Sequence, residues 1–151
     1  MFHRILVPVD LTGRHHRTVD LAASMARVSE GRVDLLHVVE VIPGMSLEDD
    51  AEFYKRLETR ALEEMERFRE ALDACGVAFG AAVSYGSRVQ EVLGWIERHD
   101  TDLVVLTSHK VAVDKEGEGW GTLSYQLGIL APCSVLLVKE LSAAERHRSG
   151  A

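Results

Sequence analysis

The sequence predicts a three-layer, doubly wound α/β domain with a five-stranded, mostly parallel sheet. Strand-like and helix-like segments alternate five times along the chain, which is typical of this fold class. Two apolar runs, residues 5–9 (ILVPV) and 103–106 (LVVL), carry no charge, as expected for strands buried on both faces of a parallel sheet. The chain has 151 residues, enough for one domain with a substantial core. We expect residues 1–140 to form this domain and residues 141–151 a frayed polar tail.

The first part of the chain is predicted to contain two strands with a helix between them. The first strand, residues 5–9, should end near Pro8, because proline cannot donate a hydrogen bond within a sheet. The following helix carries small apolar side chains at helical spacing: Val19, Ala22, Ala23 and Ala26. Gly31 is a natural stop for this helix. Residues 33–39 form the second strand, although Asp34 and His37 interrupt its apolar run.

The remaining elements follow from the same patterns. One long helix is predicted before the third strand, because its apolar residues form a single stripe: Phe53, Leu57, Ala61, Met65, Phe68 and Leu72. The third strand covers residues 77–84, and the next helix is marked by Val89, Val92, Leu93 and Ile96. The fourth strand, residues 103–106, leads into a polar loop. A short helix at residues 122–130 and a last strand at residues 133–138 complete the alternation.

Charge and composition exclude several classes of protein. The chain has 24 acidic residues against 17 Lys and Arg, and the resulting charge of −7 repels nucleic acids and anionic membranes. Two cysteines, Cys75 and Cys133, are too few for a disulfide framework, and Asp10 comes too early for a signal peptide. The longest nearly apolar run, residues 128–138, is about half a membrane span. We therefore expect a cytoplasmic protein with free thiols.

Candidate binding residues follow the strands, since ligands of open α/β sheets bind beyond the carboxyl ends of the strands. Asp10 follows the first strand, and Thr107, Ser108 and His109 follow the fourth. If these two strands are neighbours, Asp10 faces the segment 107–122 across a crevice. Gly121-Thr122 opens a helix whose free N–H groups suit a phosphate, although threonine is also a common cap of any helix.

Four segments together resemble the universal stress protein family. In order they are ILVPVD, LLHVV, DLVVLTSH and GTLSYQLGILAPCSVLLVK, and the resemblance runs from Ile5 to Lys139. Its most specific parts are the opening strand that ends in Pro-x-Asp, the Asp102-Leu-Val-Val strand and the closing Ala-Pro-Cys-x-Val-Leu-Leu-Val. The resemblance implies an adenine nucleotide alpha hydrolase-like fold with strand order 3-2-1-4-5. It also implies a homodimer formed through the last strand, by Ser134, Val135, Leu136, Leu137 and Val138.

The ATP-binding subset of that family carries G-x2-G-x9-G-[ST] after the fourth strand. Gly121-Thr122 match the end of this motif, but Thr107 and Lys110 replace the first two glycines, and the last spacing is one residue longer. Glycine tolerates positive φ and lets a phosphate approach the backbone closely, whereas threonine and lysine do neither well. Lys110 or Lys115 could offer an ammonium group instead, opposed by nearby acids at positions 114, 116 and 118. Nucleotide binding by a variant loop and no binding both stay open.

If binding is retained, the resemblance assigns each part of the site. Asp10 approaches the ribose, Val38 or Val39 lies at the adenine wall, and the loop holds the phosphates. The expected ligand is ATP or AMP. The residues implied are Pro8, Val9, Asp10, Thr12, Val38, Val39, Thr107, Ser108, His109, Lys110, Gly121 and Thr122.

Other conspicuous residues have simpler interpretations. His15 and His16 would point about 100° apart on a helix, so they do not readily share a metal ion, and we expect no metal site. His37 within a strand is typical of a hydrogen-bonded core histidine. Nucleophilic catalysis by Ser108 and His109 would need a third, orienting group and an oxyanion site, and adjacency in sequence does not supply that geometry. Three further residues are expected to pack in the interior, with Trp120 as an alternative cover for the crevice: Trp95, Trp120 and Cys133.

These observations leave two main functional hypotheses. The first is a non-catalytic, homodimeric stress-response or signalling domain that an adenine nucleotide modulates. The alternative is an ATP-binding or ATP-hydrolysing member of the nucleotide-binding α/β group, although Leu11-Thr12-Gly13-Arg14 makes a poor phosphate loop. The sequence does not fit a phospho-acceptor receiver domain, because Ser84-Tyr85-Gly86 after the third strand offers no acceptor aspartate.

Overall fold

The computed structural model describes residues 1–12, 14–108, 122–139 and 148. His109, Lys110, Trp120, Gly121 and almost all of the predicted tail lie outside the described residues. The strands are β1 (Arg4–Pro8), β2 (Arg32–Val39), β3 (Ala78–Tyr85), β4 (Leu103–Ser108) and β5 (Ser134–Lys139). The helices are α1 (His16–Val28), α2 (Ala51–Glu66), α3 (Arg69–Ala74), α4 (Arg88–Arg98) and α5 (Leu123–Leu130). Each predicted strand is present, with bounds that differ by one or two residues.

The five strands form one parallel sheet in the order β3-β2-β1-β4-β5. The doubly wound α/β fold class and the strand order that the resemblance implied are thus confirmed. β1 lies between β2 and β4, with Val7 opposite Leu35 and Leu6 opposite Val104. Leu6, Val7 and Val104 are fully buried, as expected for central strands covered on both faces. The exits of β1 and β4 therefore meet at one edge of the sheet.

Two apolar clusters cover the two faces of the sheet. Helices α1, α2 and α3 pack on one face, where Val7, Leu35 and Val105 contribute from the strands. Helices α4 and α5 pack on the other face, where Leu6, Leu36 and further strand residues meet α4 and α5. The alternation along each strand, with neighbours pointing to opposite faces, produces this division. The sheet is held between two helical layers.

The prediction of one long helix over residues 53–72 is wrong in one respect. α2 ends at Glu66 and α3 begins at Arg69, because tighter i→i−3 hydrogen bonds close the last turn of α2: Phe68 N–H donates to the Met65 carbonyl at 3.1 Å. Met65, Phe68 and Leu72 are all buried on the same cluster. The apolar stripe therefore continues across the break.

Two local features bring chain segments to the carboxyl edge of the sheet. Val9 lies just past β1, and its N–H donates to the Leu36 carbonyl at 2.9 Å. Gly86 follows β3 with φ of 141°, a conformation that favours glycine, and its N–H donates to the Val39 carbonyl at 3.0 Å. This turn directs the start of α4 toward the end of β2.

Within the described ranges, none of the helices is both long and apolar enough to cross a membrane.

Candidate functional site

The exits of β1, β2 and β4 open into a cavity of about 780 Å³, which we call the carboxyl-end cavity. This volume is within the range of small-molecule sites. The first turns of α4 and α5 form its other sides, through Ser87, Val89, Leu123 and Ser124. The residues implied for a nucleotide site that line this cavity are Pro8, Val9, Asp10, Val38, Val39, Thr107 and Thr122. Residues from three strands and from α5 are thus brought together.

Two of the implied residues do not line the carboxyl-end cavity. Thr12 lies beside Asp10 and donates both its N–H and its hydroxyl to that carboxylate. Ser108 is buried, and its hydroxyl oxygen accepts a hydrogen bond from Lys139 Nζ at 3.1 Å. The remaining implied residues, His109, Lys110 and Gly121, lie outside the described residues.

The carboxylate of Asp10 is held by one of its two oxygens. Oδ1 accepts the Thr12 N–H at 2.9 Å and the Thr12 hydroxyl, and it lies 2.8 Å from Nε2 of His15. Burial opposes ionisation of the carboxyl group, but the hydrogen bonds from Thr12 and His15 outweigh it and lower the pKa of Asp10 to about 2. Within the part of the chain that the structure describes, Oδ2 has no hydrogen-bond partner. Asp10 is therefore a charged acceptor at the cavity wall, and its orientation is set by the contacts of Oδ1.

His15 joins the exits of β1 and β4. The side chain is almost fully buried at 6% exposure, and its Nδ1 lies 2.8 Å from Oγ1 of Thr107. Thr107 Oγ1 in turn lies 2.6 Å from Oγ1 of Thr18 on α1. A hydrogen-bonded chain thus runs from Asp10 through His15 and Thr107 to Thr18. This role was not predicted from the sequence, where His15 was considered only as a metal ligand. A histidine in the turn beyond the acid that ends the first strand was the available signal.

The wall of the cavity at β2 is apolar, with a charged rim. Val38 and Val39 are buried, and His37 Nδ1 lies 2.9 Å from the Val9 carbonyl oxygen, so His37 is a hydrogen-bonded histidine as predicted. At the rim, Arg88 Nε lies 3.4 Å from a carboxylate oxygen of Glu40. An apolar wall with an exposed ion pair suits a flat, uncharged ring better than a phosphate.

The first turn of α5 forms the opposite side of the cavity. The hydroxyl oxygen of Thr122 accepts the Tyr125 N–H at 3.2 Å, so Thr122 caps the helix. The N–H groups of the following residues, Leu123 and Ser124, belong to the first turn, where helices have no internal acceptor and carry partial positive charge. Leu123 and Ser124 line the cavity. Capping and an environment that favours an anion thus occur together at this helix end.

Other candidate residues are less suited to catalysis or to metal binding. Burial, with a smaller contribution from Asp102, raises the pKa of the Cys133 thiol, which makes the thiolate less available at neutral pH. Trp95 stacks on His99 with ring centroids 3.8 Å apart and packs against the cluster on the α4 face. In the residues that the structure covers, His, Cys, Asp and Glu side chains form no group of three that could hold a metal ion.

The fold and the carboxyl-end cavity define an α/β domain of the kind that places a ligand site where strand order reverses. The model of the universal stress protein family matches residues 1–139, and the chain belongs to this family. A search of curated proteins found no significant match.

Solved structures with the same fold come from several organisms. The universal stress protein UspA from Lactobacillus plantarum is 20% identical, with a TM-score of 0.71, and the match covers 91% of this chain and 97% of that one. A family member from Arabidopsis thaliana, solved with AMP bound, is 19% identical over 94% of both chains, with a TM-score of 0.70. The universal stress protein from Archaeoglobus fulgidus in complex with dAMP is 16% identical, with a TM-score of 0.61, over 91% of this chain and 98% of that one.

Proposed function

We propose that this chain is a non-catalytic stress-response domain that binds an adenine nucleotide, AMP or ATP, in the carboxyl-end cavity. The observation that carries the proposal is the state of Asp10. Asp10 lines the cavity, is ionised at neutral pH and is oriented through its Oδ1 by Thr12 and His15. An ionised carboxylate with one oriented oxygen is a good acceptor for the hydroxyl groups of a ribose. The structures of the Arabidopsis member with AMP and the Archaeoglobus member with dAMP support this choice of ligand.

The proposed placement assigns one part of the nucleotide to each side of the cavity. The ribose hydroxyl groups donate to Asp10, and the adenine packs on the apolar wall at Val38 and Val39. The phosphates lie toward the first turn of α5, whose N–H groups favour anions. Thr107 and Lys110 stand where the ATP-binding motif has glycines. The phosphate contacts must therefore differ from those of that motif.

A binding role is favoured over ATP hydrolysis by the hydrogen bonds of His15. A general base needs a ring nitrogen within reach of the water or hydroxyl group that it activates. Both nitrogens of His15 already lie within 2.8 Å of protein oxygens, on Asp10 and on Thr107. Neither nitrogen faces a bound ligand in this arrangement. Hydrolysis remains the alternative hypothesis, and release of inorganic phosphate from ATP tests it directly.

Calorimetric titration with AMP, ADP and ATP, combined with thermal unfolding, tests the proposal. A nucleotide at a hundred times its Kd adds about 2.7 kcal/mol to the free energy of unfolding. Asp10→Asn should weaken binding about tenfold to a hundredfold, because it removes a charged acceptor. Asp20→Asn is the matched control, since Asp20 is exposed on α1 and does not line the cavity. Failure of all three nucleotides to bind wild-type protein would overturn the proposal. ATP turnover that exceeds the Asp10→Asn background would favour the enzymatic alternative.

We also propose that the chain forms a homodimer through β5. This strand is at the edge of the sheet, and unpaired strand edges readily associate. Large apolar side chains surround it on the surface: Ile129 and Leu130 of α5 are 63% and 55% exposed, and Leu137 of β5 is 40% exposed. Pairing β5 with β5 of a second copy would cover both the strand edge and these side chains.

A further inference from the structure

A second cavity, of about 540 Å³, lies at the amino end of the sheet on the face that carries α4. We call it the amino-end cavity, and its volume is within the range of small-molecule sites. We propose that it binds a small zwitterion with a flat ring, an aromatic α-amino acid. The proposal goes beyond the nucleotide site, because the carboxyl-end cavity lies at the other end of the sheet and is lined by different residues. The lining residues used in the argument are Arg4, Glu30, Arg32, Gly80, Trp95 and His99.

The floor of the amino-end cavity is open because β3 carries only small residues there. Ala78, Gly80 and Ala82 line the cavity, and α4 packs over β2. A Cβ at Gly80 would overlap the carboxylate of Asp34 and lie 2.7 Å from Nη2 of Arg32. Glycine inside a strand often marks the close approach of another group. Gly80 thus lets the Arg32–Asp34 ion pair lie flat against β3 and leaves room above it.

Besides two histidines, four charged side chains line the amino-end cavity, and two of them neutralise each other. Arg32 contacts the Asp34 carboxylate through Nε at 3.1 Å and through Nη2 at 2.5 Å. Arg4 lies directly opposite Arg32 on β1, and its Nη1 donates to the His99 carbonyl at 3.1 Å. Among the described residues, neither Arg4 nor Glu30 has an ion-pair partner. One positive and one negative charge at the cavity are therefore left for a ligand.

The last turns of α4 give the amino-end cavity an aromatic wall. The rings of Trp95 and His99 stack with centroids 3.8 Å apart and an angle of 15° between their planes. Both side chains are half-buried, and flat rings pack well against such a pair. Nε1–H of Trp95 is buried and has no acceptor among the described residues. A buried donor without an acceptor is destabilising, and a ligand oxygen that reached this N–H after a small shift of the His99 ring would satisfy it.

These groups together match an aromatic α-amino acid. Its carboxylate pairs with the guanidinium of Arg4, which favours planar oxyanions. Its ammonium group pairs with the carboxylate of Glu30, and its ring packs against Trp95 and His99. An aromatic acid without an ammonium group would place its negative charge near Glu30 with no compensation, and an aromatic amine would do the same with its positive charge near Arg4. The charges at the cavity therefore favour a zwitterion over either.

Titration of L-phenylalanine into ¹⁵N-labelled protein tests this inference. We expect saturable shifts at the amides of Gly31 and Gly80 and at the indole N–H of Trp95, all of which belong to lining residues. Three analogues each lack one feature: L-phenylalaninamide has no carboxylate, N-acetyl-L-phenylalanine has no ammonium group, and L-alanine has no ring. Each should bind wild-type protein at least about tenfold more weakly, as expected when a charge-assisted hydrogen bond or a ring contact is lost.

Two variants identify the side chain that recognises each charge. Arg4→Gln should bind L-phenylalanine about tenfold more weakly than wild-type protein and should no longer distinguish it from the amide. Glu30→Gln should no longer distinguish it from the N-acetyl analogue. Arg60→Gln and Glu63→Gln are the matched controls, since both residues are exposed on α2 and neither lines the cavity. Both controls should bind like wild-type protein.

Several results would overturn this inference, and none of them depends on the nucleotide site. The absence of saturable shifts at millimolar L-phenylalanine would overturn it. Equal binding of L-phenylalanine and its three analogues to wild-type protein would do the same, and this comparison requires no variant to fold. Competition between L-phenylalanine and AMP would place the amino acid in the carboxyl-end cavity and would also contradict it. Failure of AMP to bind would overturn the proposed function alone, since L-phenylalanine should bind without it.

Discussion

Asp10 and Thr107 leave neighbouring strands and contact opposite nitrogens of one imidazole, that of His15. They are far apart in sequence, and the pairing of β1 with β4 brings them to the same edge of the sheet. Oδ1 of Asp10 and Oγ1 of Thr107 are each 2.8 Å from the ring. This contact fixes the geometry of the two strand exits at which ligands of open α/β sheets bind.

The hydrogen-bonded carboxylate of Asp10 predicts a loss of stability in acid. The folded state lowers the pKa of Asp10 from 3.8 to about 2, so the charged carboxylate stabilises the fold above pH 4. This stabilisation is lost as the pH falls through the interval from about 4 to about 2. Thermal unfolding of wild-type protein and Asp10→Asn should show a constant difference in Tm above pH 5 that shrinks toward pH 2. A difference in Tm that does not change with pH would contradict the lowered pKa of Asp10.

Substitution by alanine at two glycines is expected to change the stability of the fold in opposite directions. A Cβ at Gly31 would lie 2.7 Å from the His3 carbonyl oxygen and 2.8 Å from its Cα, and backbone atoms cannot easily move away. A Cβ at Gly128 of α5 would meet nothing within 4 Å. Gly31→Ala should therefore destabilise the fold, whereas Gly128→Ala should stabilise it by about 0.5–1 kcal/mol, because glycine is a poor helix former. Urea unfolding measures both, and equal effects would be inconsistent with this packing.

The hydroxyl group of Tyr54 holds the loop between β2 and α2. Its hydroxyl accepts the Ile42 N–H at 3.0 Å and donates to the Met45 carbonyl at 2.8 Å, and the side chain is buried. Tyr54→Phe should lower the free energy of unfolding by about 1–3 kcal/mol, because it leaves backbone groups without their partner. Limited proteolysis should then cut the loop faster than in wild-type protein. An unchanged urea midpoint would show that the loop is held by other contacts.

The proposed dimer predicts different outcomes for two equally exposed leucines. Leu137 on β5 is 40% exposed and Leu62 on α2 is 41% exposed. Leu137→Lys would place a charge in the proposed interface. Leu62→Lys would place the same charge on α2, which packs on the face of the sheet opposite to α4 and α5. Light scattering should give twice the chain mass for wild-type protein and for Leu62→Lys, and a lower mass for Leu137→Lys. A wild-type monomer at tens of micromolar would exclude the dimer.

The elements of the fold could be predicted because apolar periodicity records burial. The runs at residues 5–9 and 103–106 are apolar on both faces, which only central strands require. Strand order came from the family resemblance, since periodicity contains no information on which strands pair. The break between α2 and α3 left no trace in the pattern, because Phe68 and Leu72 stay buried on both sides of it.

The candidate site was predictable only in part. Asp10 and Thr107 follow predicted strands, so their position at the sheet edge was expected. His15 lies outside any periodic pattern, and its partner Thr107 is distant in sequence. Its position shortly after Asp10 was a signal, but its contact with Thr107 is seen only in the fold. Thr12 and His15 both contact the same oxygen of Asp10. This arrangement depends on side-chain geometry, which no pattern of residue types encodes.

The proposed function requires that the exits of β1 and β4 form a binding site for an adenine nucleotide. The most direct test is a titration of AMP into ¹⁵N-labelled protein, followed by amide shifts. We predict saturable shifts at Asp10, Val39 and Thr107, with no change at Gly31 and Gly80, which lie at the opposite end of the sheet. No shifts at millimolar AMP, or shifts confined to that opposite end, would contradict the claim.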